Sequence, residues 1–414
     1  MTPRLLRALR WFLNFAVAYH LVALVALAAT GGYHVDLAGL ELSSNRPDPL
    51  LLGLLLSAAA RGALQLGWAD AALVTFSTAL ALGAVELALQ LINPPMAEPE
   101  LRQIHQPSER YGFELVPGAE GVGNLGELIR INSYGARDAE FQDKGPHERR
   151  IVVLGDSFTF GFGLALEDGY VKQLQAMLGS GGVDVKVLNL GVSAYHLWQH
   201  VAQLQHRVAP LVPDLVVIGL FHDDLLAPER PPALRPRNPF AAHTKDRFIG
   251  SKTLNLVRNV VTRLEFRLRH QRGREYLESI EARKAYLSAD NADLPNYAVQ
   301  VGNLSGAQRD GLARAVAAIA GWSRQQGVPV LGVFIPDASQ LGEPDRQFPN
   351  RALESAFARA GLPFVDTTPR FEAVADPRPL FLFPLDAHTS REGHRLIAAA
   401  IAEHPAVAGL VSAR

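Results

Sequence analysis

Two short segments, far apart in the chain, carry residue types that together could activate a serine hydroxyl as a nucleophile. One is Gly155-Asp156-Ser157-Phe158-Thr159, and the other is Asp386-Ala387-His388. A serine hydroxyl becomes a nucleophile when a histidine removes its proton, and a carboxylate fixes the tautomer of that histidine. Asp386 and His388 could supply both from one loop. The alternative is that Ser157 and Asp386 only cap helices, but their joint placement at opposite ends of one domain favours catalysis.

Other sites that the sequence suggests are weaker. His196 and His200 have the i, i+4 spacing of metal ligands, with His206 beyond, but no carboxylate completes a zinc motif. His394 opens the last helix rather than joining the chemistry. The glycines at 161 and 163 do not form a dinucleotide fingerprint, and no Gly-Lys-Ser/Thr occurs. We therefore expect no metal and no cofactor.

The elements around these residues alternate in period. Short apolar runs predict strands at 150–154, 183–190, 214–220, 328–335 and 363–366, and amphipathic stretches predict helices at 169–178, 196–208, 307–326, 351–361 and 391–403. Such alternation predicts an α/β fold whose parallel sheet is covered on both faces. Ligands of these sheets bind at the carboxyl ends of the strands. Ser157 follows the first strand and lies at that edge.

At this point the chain resembles a known family, the SGNH/GDSL hydrolases. The carriers are Ile151–Gly163 (IVVLGDSFTFGFG), Asn189–Ser193 (NLGVS), and Asp386-Ala387-His388 followed by Glu392-Gly393-His394. The lead-in Asn132–Asp138 (NSYGARD) is similar to what precedes the first block in membrane-attached bacterial members. The resemblance covers roughly 105–404 without the segment 225–305. It implies a flavodoxin-like doubly wound sheet, with Ser157 as nucleophile, His388 as base, Asp386 as orienting acid, and the Ser157 and Gly191 amides as oxyanion donors.

Two positions depart from the family pattern. The third block should read Gly-x-Asn-Asp, with the asparagine amide donating to the oxyanion, but the chain has Phe221-His222-Asp223-Asp224. An ionised Asp223 cannot donate and would repel a developing negative charge. Either Asp223 is protonated, or His222 replaces it, or activity is reduced. The second departure is the spacing Asp386-x-His388, where Asp-x-x-His is commoner.

Residues 1–95 carry only ten charged side chains and predict a membrane anchor. The segment 11–30 contains no Asp, Glu, Lys or Arg and would make a helix of about 30 Å, the thickness of a bilayer core. Arg4, Arg7 and Arg10 before it favour a cytoplasmic N-terminus. A second span is expected at 71–92, and 50–68, broken by Arg61, either crosses or lies at the interface. We favour three crossings over two, and a cleaved signal peptide stays open.

Four parts follow from this reading: an anchor at 1–95, a lead-in of short strands and turns at 96–147, a hydrolase domain at 148–404, and an insertion within it at 225–305. In the insertion, 245–274 carries nine Lys/Arg with apolar residues at helical spacing. A basic amphipathic helix can lie on anionic headgroups. It can equally pack as a lid over the sheet.

The overall composition narrows the function classes. The chain has 414 residues, 40 Lys+Arg against 41 Asp+Glu, and no cysteine. A net charge of −1 leaves no basic field for a nucleic acid. Without cysteine there is no disulfide scaffold and no thiol nucleophile. If the chain has a side-chain nucleophile of the serine or cysteine type, it must therefore be a hydroxyl.

We expect a membrane-anchored serine esterase or acyltransferase of the bacterial inner membrane. With three crossings its site faces the periplasm, where acyl esters of envelope glycans or lipids would be substrates, in contact with envelope polysaccharide machinery. Water and a sugar hydroxyl both remain open as acceptors. An alternative is a catalytically weakened SGNH domain that binds glycan or assists assembly, and a transport role for the helices has less support.

Overall fold

A computed structural model describes residues 3–30, 33–37, 40–44, 104–123, 125, 127–231, 234, 236, 299–383 and 386–412, with scattered positions between 53 and 91. The chain divides into two compact units, Met1–Met96 with Thr244–Glu265, and Ala97–His243 with Phe266–Arg414. The basic stretch 245–274 lies outside the described residues, as do most of the expected spans 50–68 and 71–92.

The first unit contains one long helix, α1 (Pro3–Thr30), and an antiparallel hairpin of β1 (Tyr33–Leu37) and β2 (Leu40–Ser44). Helix α1 includes the whole charge-free segment 11–30. Among the described residues, no single helix has both the length and the apolar character needed to cross a bilayer. One bent pair, 391–403 with 405–412 at 66°, meets both criteria together.

The second unit begins with two antiparallel hairpins. Their strands are β3 (His105–Ser108) with β4 (Gly112–Leu115), and β5 (Glu120–Val122) with β6 (Leu128–Arg130). Apolar side chains of these hairpins form a small separate core together with Phe160, Val192 and Tyr195. The hairpins therefore pack directly against the segments that follow the first two strands of the main sheet.

A five-stranded parallel sheet forms the centre of this unit. Its strands are β7 (Arg149–Leu154), β8 (Val185–Asn189), β9 (Leu215–Leu220), β10 (Val330–Phe334) and β11 (Phe364–Asp366). The spatial order is β8-β7-β9-β10-β11, and all four pairings are parallel. This is the 2-1-3-4-5 order of flavodoxin-like sheets. The predicted doubly wound α/β fold is confirmed.

Helices cover both faces of the sheet. They are α2 (Ser157–Phe160), α3 (Tyr170–Gly179), α4 (Leu197–Gln203), α5 (Gly306–Gln326), α6 (Phe348–Arg359), α7 (Thr368–Glu372), α8 (Arg391–Glu403) and α9 (Pro405–Ser412). Side chains of a strand alternate between faces. Accordingly Ile151 and Val153 pack in the core formed with α3 and α8, and Val152 and Leu154 pack in the core formed with α4, α5 and α6.

Candidate active site

The turn after β7 has a backbone that only glycine fits well. Gly155 has φ +154°, and a Cβ there would lie 2.0 Å from Thr159 Oγ1 and 3.0 Å from the carbonyl oxygen of Gly219. Asp156 then caps α2, because its Oδ1 accepts a hydrogen bond from Phe158 N at 2.9 Å. Ser157 is the first residue of this helix and is half-buried at the carboxyl edge of the sheet.

A buried arginine from the lead-in holds the far end of this turn. Arg137 is 1% exposed, and its guanidinium donates to the carbonyl oxygens of Phe160 (3.0 Å), Gly161 (2.6 Å) and Leu164 (2.6 Å). Burial lowers the pKa of Arg137 to about 10, against the attraction of Glu127, so the side chain stays charged at neutral pH. Arg137 thus fixes the end of α2 and the loop beyond it with three charge-assisted bonds.

The loop before α8 carries the second half of the site. Asp386 Oδ1 accepts both the backbone N–H of His388 at 2.8 Å and its ring Nδ1–H at 2.5 Å. The His388 carbonyl in turn accepts from Leu382 N at 2.8 Å. An aspartate that bonds the backbone two residues on forms a compact Asx turn. The Asp-x-His spacing is therefore sufficient here, because one carboxylate oxygen orients both the loop and the ring.

These two halves meet. His388 Nε2 lies 2.7 Å from Ser157 Oγ, so hydrogen bonds run from Ser157 through His388 to Asp386. With the Nδ1 proton directed at Asp386, Nε2 is left to accept the serine proton, as a general base must. The side chains of His388 and Asp386 are 23% and 26% exposed, which leaves the site open to a substrate.

Aromatic side chains hold the imidazole from two sides. The Phe162 ring stacks on His388 at 4.5 Å between centroids and 28° between planes, and the Phe158 ring lies at 4.8 Å in a tilted contact. Both phenylalanines belong to the segment that carries Ser157. The nucleophile and the base are therefore positioned by the same stretch of chain.

Gly191 has a structural role that is separate from the expected donor role. Its N–H donates to Asn189 Oδ1 at 2.9 Å, so this N–H already has an acceptor and is not available to an oxyanion in this structure. A Cβ at 191 would lie 2.4 Å from Phe160 N and 2.6 Å from the Thr159 carbonyl carbon. Glycine is required here because the loop after β8 passes against α2.

Ala194, three residues further on, was missed by sequence reasoning. It has φ +64°, one of two non-glycine residues with a left-handed backbone among those described, and it is exposed at the carboxyl edge of the sheet. An alanine in this conformation stores strain, which is typical of functional sites. Its N–H bonds to no other residue that the structure describes. No sequence signal marks it, because alanine gives no hint of a positive φ.

His222 and Asp223 pair with each other in the turn after β9. His222 is fully buried, and its Nδ1 lies 2.7 Å from Asp223 Oδ1. Burial raises the pKa of Asp223, but His222 outweighs that effect and holds the pKa below its usual value. Of the three expected outcomes, a protonated Asp223 is therefore disfavoured, and the buried His222 ring cannot reach a substrate.

A second buried histidine–aspartate pair comes from α4 and the turn after β9. His200 and Asp224 are at most 1% exposed and 3.3 Å apart, and the other oxygen of Asp224 accepts from Phe221 N at 2.9 Å. Burial, and after it the charge of Asp224, raises the pKa of Asp156 to about 7. His200, the second of the two histidines with the i, i+4 spacing of metal ligands, therefore lies beside a carboxylate. Among the described residues no group of three or more metal-binding side chains could hold an ion.

His394 lies where the sequence puts it, in the first turn of α8. It is fully buried, and its Nδ1 accepts a hydrogen bond from Tyr170 N at 2.9 Å. Burial lowers its pKa to about 3, with smaller contributions from His388 and Arg137. His394 is therefore a neutral packing residue that ties α8 to α3.

A parallel α/β sheet with a Ser–His–Asp arrangement at its carboxyl edge is typical of serine hydrolases. The model of the GDSL-like lipase/acylhydrolase family matches residues 153–396, more than half of the chain. The chain is also 30% identical over 171 residues to esterase TesA of Pseudomonas aeruginosa, covering 41% of this chain and 81% of that protein. It belongs to the GDSL-like lipase/acylhydrolase family, whose members are ester-hydrolysing enzymes.

Solved structures similar to the chain are distant in sequence. A crystal structure of TesA aligns with a TM-score of 0.39 at 16% identity, covering 63% of this chain and 99% of that one. A lipase/acylhydrolase from Enterococcus faecalis aligns with a TM-score of 0.36 at 15% identity, covering 64% of this chain and 96% of that one. An acetylxylan esterase from Geobacillus stearothermophilus aligns with a TM-score of 0.35 at 14% identity, covering 61% of this chain and 92% of that one.

Proposed function

We propose that Ser157, His388 and Asp386 are the catalytic residues of a membrane-anchored esterase or acyltransferase that acts on acyl esters of envelope glycans or lipids. The observation that carries the catalytic assignment is the continuous hydrogen-bond chain between them, 2.7 Å from Ser157 Oγ to His388 Nε2 and 2.5 Å from His388 Nδ1 to Asp386 Oδ1. The distance of 2.7 Å from Ser157 Oγ to His388 Nε2 lies in the range of about 2.6–3.2 Å that proton transfer requires, and the contact with Asp386 orients the ring.

In this mechanism Ser157 Oγ attacks the ester carbonyl carbon while His388 Nε2 takes the hydroxyl proton. The C–O bond to the leaving alcohol then breaks, and His388 returns the proton to the alcohol oxygen. An acyl-serine remains, and water or a sugar hydroxyl attacks it by the same steps in reverse. Asp386 keeps the imidazole oriented and stabilises it while it is charged.

The tetrahedral intermediate needs hydrogen-bond donors for its oxygen anion. We assign the Ser157 N–H, which as the first of its helix has no carbonyl partner within the helix. The Ala194 N–H is the second donor that we propose, supported by the left-handed backbone at 194 in the turn after β8, the strand next to β7. Gly191 then acts indirectly, because its lack of a side chain lets this loop approach α2.

Labelling with a fluorophosphonate tests the catalytic assignment. The probe forms a covalent bond only with an activated serine, so we expect the wild type to be labelled and Ser157→Ala to lose the label. Ser180→Ala is the matched control, because Ser180 is an exposed serine that bonds only its own helix. Labelling of Ser157→Ala at the wild-type level would remove Ser157 as nucleophile. A folded wild type that does not label would favour the glycan-binding or assembly module instead.

Membrane attachment is proposed from the first unit. Three large apolar side chains of α1, those of Trp11, Phe12 and Phe15, are 65–71% exposed, and such surface is usually covered by a partner or a lipid phase. Arg4, Arg7 and Arg10 precede it on the side expected to be cytoplasmic. A reporter fused after residue 414 tests the orientation: active alkaline phosphatase indicates a periplasmic site, and a fluorescent cytoplasmic reporter contradicts it.

The acyl acceptor is distinguished by its product. We propose a sugar or lipid hydroxyl as a competing acceptor to water, because the acyl-serine is open to either nucleophile. An aryl acyl ester supplied with and without a sugar acceptor should give acylated sugar in the first case if the enzyme is a transferase. Free acid alone at high acceptor concentration identifies a hydrolase.

A further inference from the structure

A fully buried histidine lies between two carboxylates at the same sheet edge as Ser157. His222 Nδ1 is 2.7 Å from Asp223 Oδ1, and His222 Nε2 is 3.8 Å from Asp337 Oδ2. The side chains of His222 and Asp337 are at most 2% exposed, whereas that of Asp223 is 35% exposed. A carboxylate oxygen thus lies near each ring nitrogen of His222, at ion-pair distance and without hydrogen-bond geometry.

This geometry favours the charged form of the histidine. Negative charges within about 4–6 Å of a ring favour its protonated form, and two carboxylates lie within that distance of His222. Burial by itself lowers the pKa of His222, but the two carboxylates, Asp223 first, outweigh it and raise the pKa to about 9. At neutral pH the group therefore consists of one buried cation and its acidic partners.

Asp223 lies in a turn at the same edge of the sheet as Ser157. It belongs to the turn after β9, and β9 pairs in parallel with β7, whose carboxyl end leads to Ser157. The rings of Phe221 and Phe158 are 4.6 Å apart and join the two turns. Asp223 is thus an ionised, partly exposed carboxylate at the edge where the attacked carbonyl oxygen becomes negative. An unopposed negative charge there would raise the barrier to the reaction.

We propose that the buried imidazolium of His222 is a positioning residue and counter-charge, which holds the Asp223 carboxylate and cancels its charge at the reacting edge of the sheet. The inference rests on the proposed function, because it concerns the ester-cleaving step at Ser157. Asp337, in the turn after β10, adds a second negative charge beside Nε2 of His222. The site thereby tolerates an acid in the turn beside its nucleophile.

A double-mutant cycle tests this assignment in the purified 414-residue chain. His222→Gln removes the cation and leaves Asp223 unopposed, so we expect kcat for an aryl acetate to fall about 10- to 100-fold with KM nearly unchanged. Asp223→Asn removes the negative charge that His222 is proposed to neutralise. The double variant should therefore recover to within about threefold of Asp223→Asn alone.

A matched buried pair supplies the control. His200 is also fully buried and faces Asp224 at 3.3 Å, so His200→Gln makes the same change without touching Asp223. Asp223→Asn should not rescue that variant. Rescue of both variants, or a His222→Gln loss that stays unchanged in the double variant, overturns the proposal. Wild-type kcat in His222→Gln overturns it as well.

A second measurement is independent of activity and of the folding of His222→Gln. In nitrogen-15 histidine spectra of the wild type, one imidazole should remain doubly protonated well above pH 7, and Asp223→Asn should move its titration to lower pH. No such histidine, or no shift, overturns the proposal. If instead the Ser157 labelling fails while this histidine is found, the proposed function is wrong and the ion pair stands.

Discussion

Two histidine–aspartate pairs lie at the carboxyl edge of one sheet and differ in what surrounds the imidazole. His388 is 23% exposed and has Asp386 on one nitrogen and a serine hydroxyl on the other. His222 is fully buried and has a carboxylate on both sides. A ring with one free basic nitrogen can accept and return a proton. A ring between two acids holds its proton, and its contribution is a fixed charge.

The comparison shows that residue type does not decide the role of such a pair. Both pairs come from short turns or loops, and in both the shortest N···O distance is below 2.8 Å. The two pairs differ in the residue beside Nε2 of the histidine, which is Ser157 at His388 and Asp337 at His222. The following predictions address each pair through that neighbour.

The largest effect is expected from removing the exposed imidazole. His388→Gln leaves Ser157 without a base, so kcat should fall about 10⁴- to 10⁶-fold. The variant should fold, because the His388 side chain is partly exposed. Initial rates on an aryl acetate measure the loss. His206→Gln, the same change at an exposed histidine of the same unit, should keep the wild-type rate. A loss below tenfold at His388 would mean that another base serves Ser157.

A smaller effect is expected from neutralising the carboxylate of the same pair. Asp386→Asn can still accept from the His388 backbone, but it cannot stabilise the imidazolium that forms when Ser157 attacks. We expect kcat to fall about 10²- to 10⁴-fold, with KM little changed. Asp184→Asn, at an aspartate 57% exposed beside Lys186, is the control and should be neutral. Equal rates for Asp386→Asn and wild type would contradict the orienting role.

Sequence reasoning reached the exposed pair because its residues lie in recognisable local patterns. The apolar run before Gly155 predicted β7, and the strand-then-serine order placed Ser157 at the sheet edge. The predicted strand 214–220 lies at Leu215–Leu220, and the predicted helix 391–403 lies at Arg391–Glu403. These elements could be predicted because each follows from nearby apolar spacing.

The role of the buried pair could not be predicted, because it does not follow from a local pattern in the sequence. The role of His222 depends on Asp337, which lies in the turn after a different strand, and no spacing in the sequence joins them. Arg137 is similar, since its three carbonyl partners lie beyond β7. By contrast, the bond from Gly191 N to Asn189 could have been anticipated, because an asparagine often bonds the backbone two residues on.

The last effect is expected in the pH dependence of stability, and it separates the buried histidines. The pKa of His222 is raised to about 9 from an unfolded value near 6.5. Its stabilisation is therefore complete below pH 6.5 and is lost as the pH rises through 9. Urea unfolding of wild type and His222→Gln should show a difference in unfolding free energy that shrinks over this range, by at most about 1.4 kcal/mol per pH unit.

His394 should behave in the opposite way. Burial lowers its pKa to about 3, so its contribution is present above pH 6.5 and is lost as the pH falls towards 3. The difference between wild type and His394→Gln should therefore shrink on acidification and stay constant from pH 7 to 9. Parallel curves for the two variants would mean that His222 is neutral in the folded chain. Opposite slopes would show that one fold holds one buried histidine charged, between two carboxylates, and another neutral, where Tyr170 N donates to its ring.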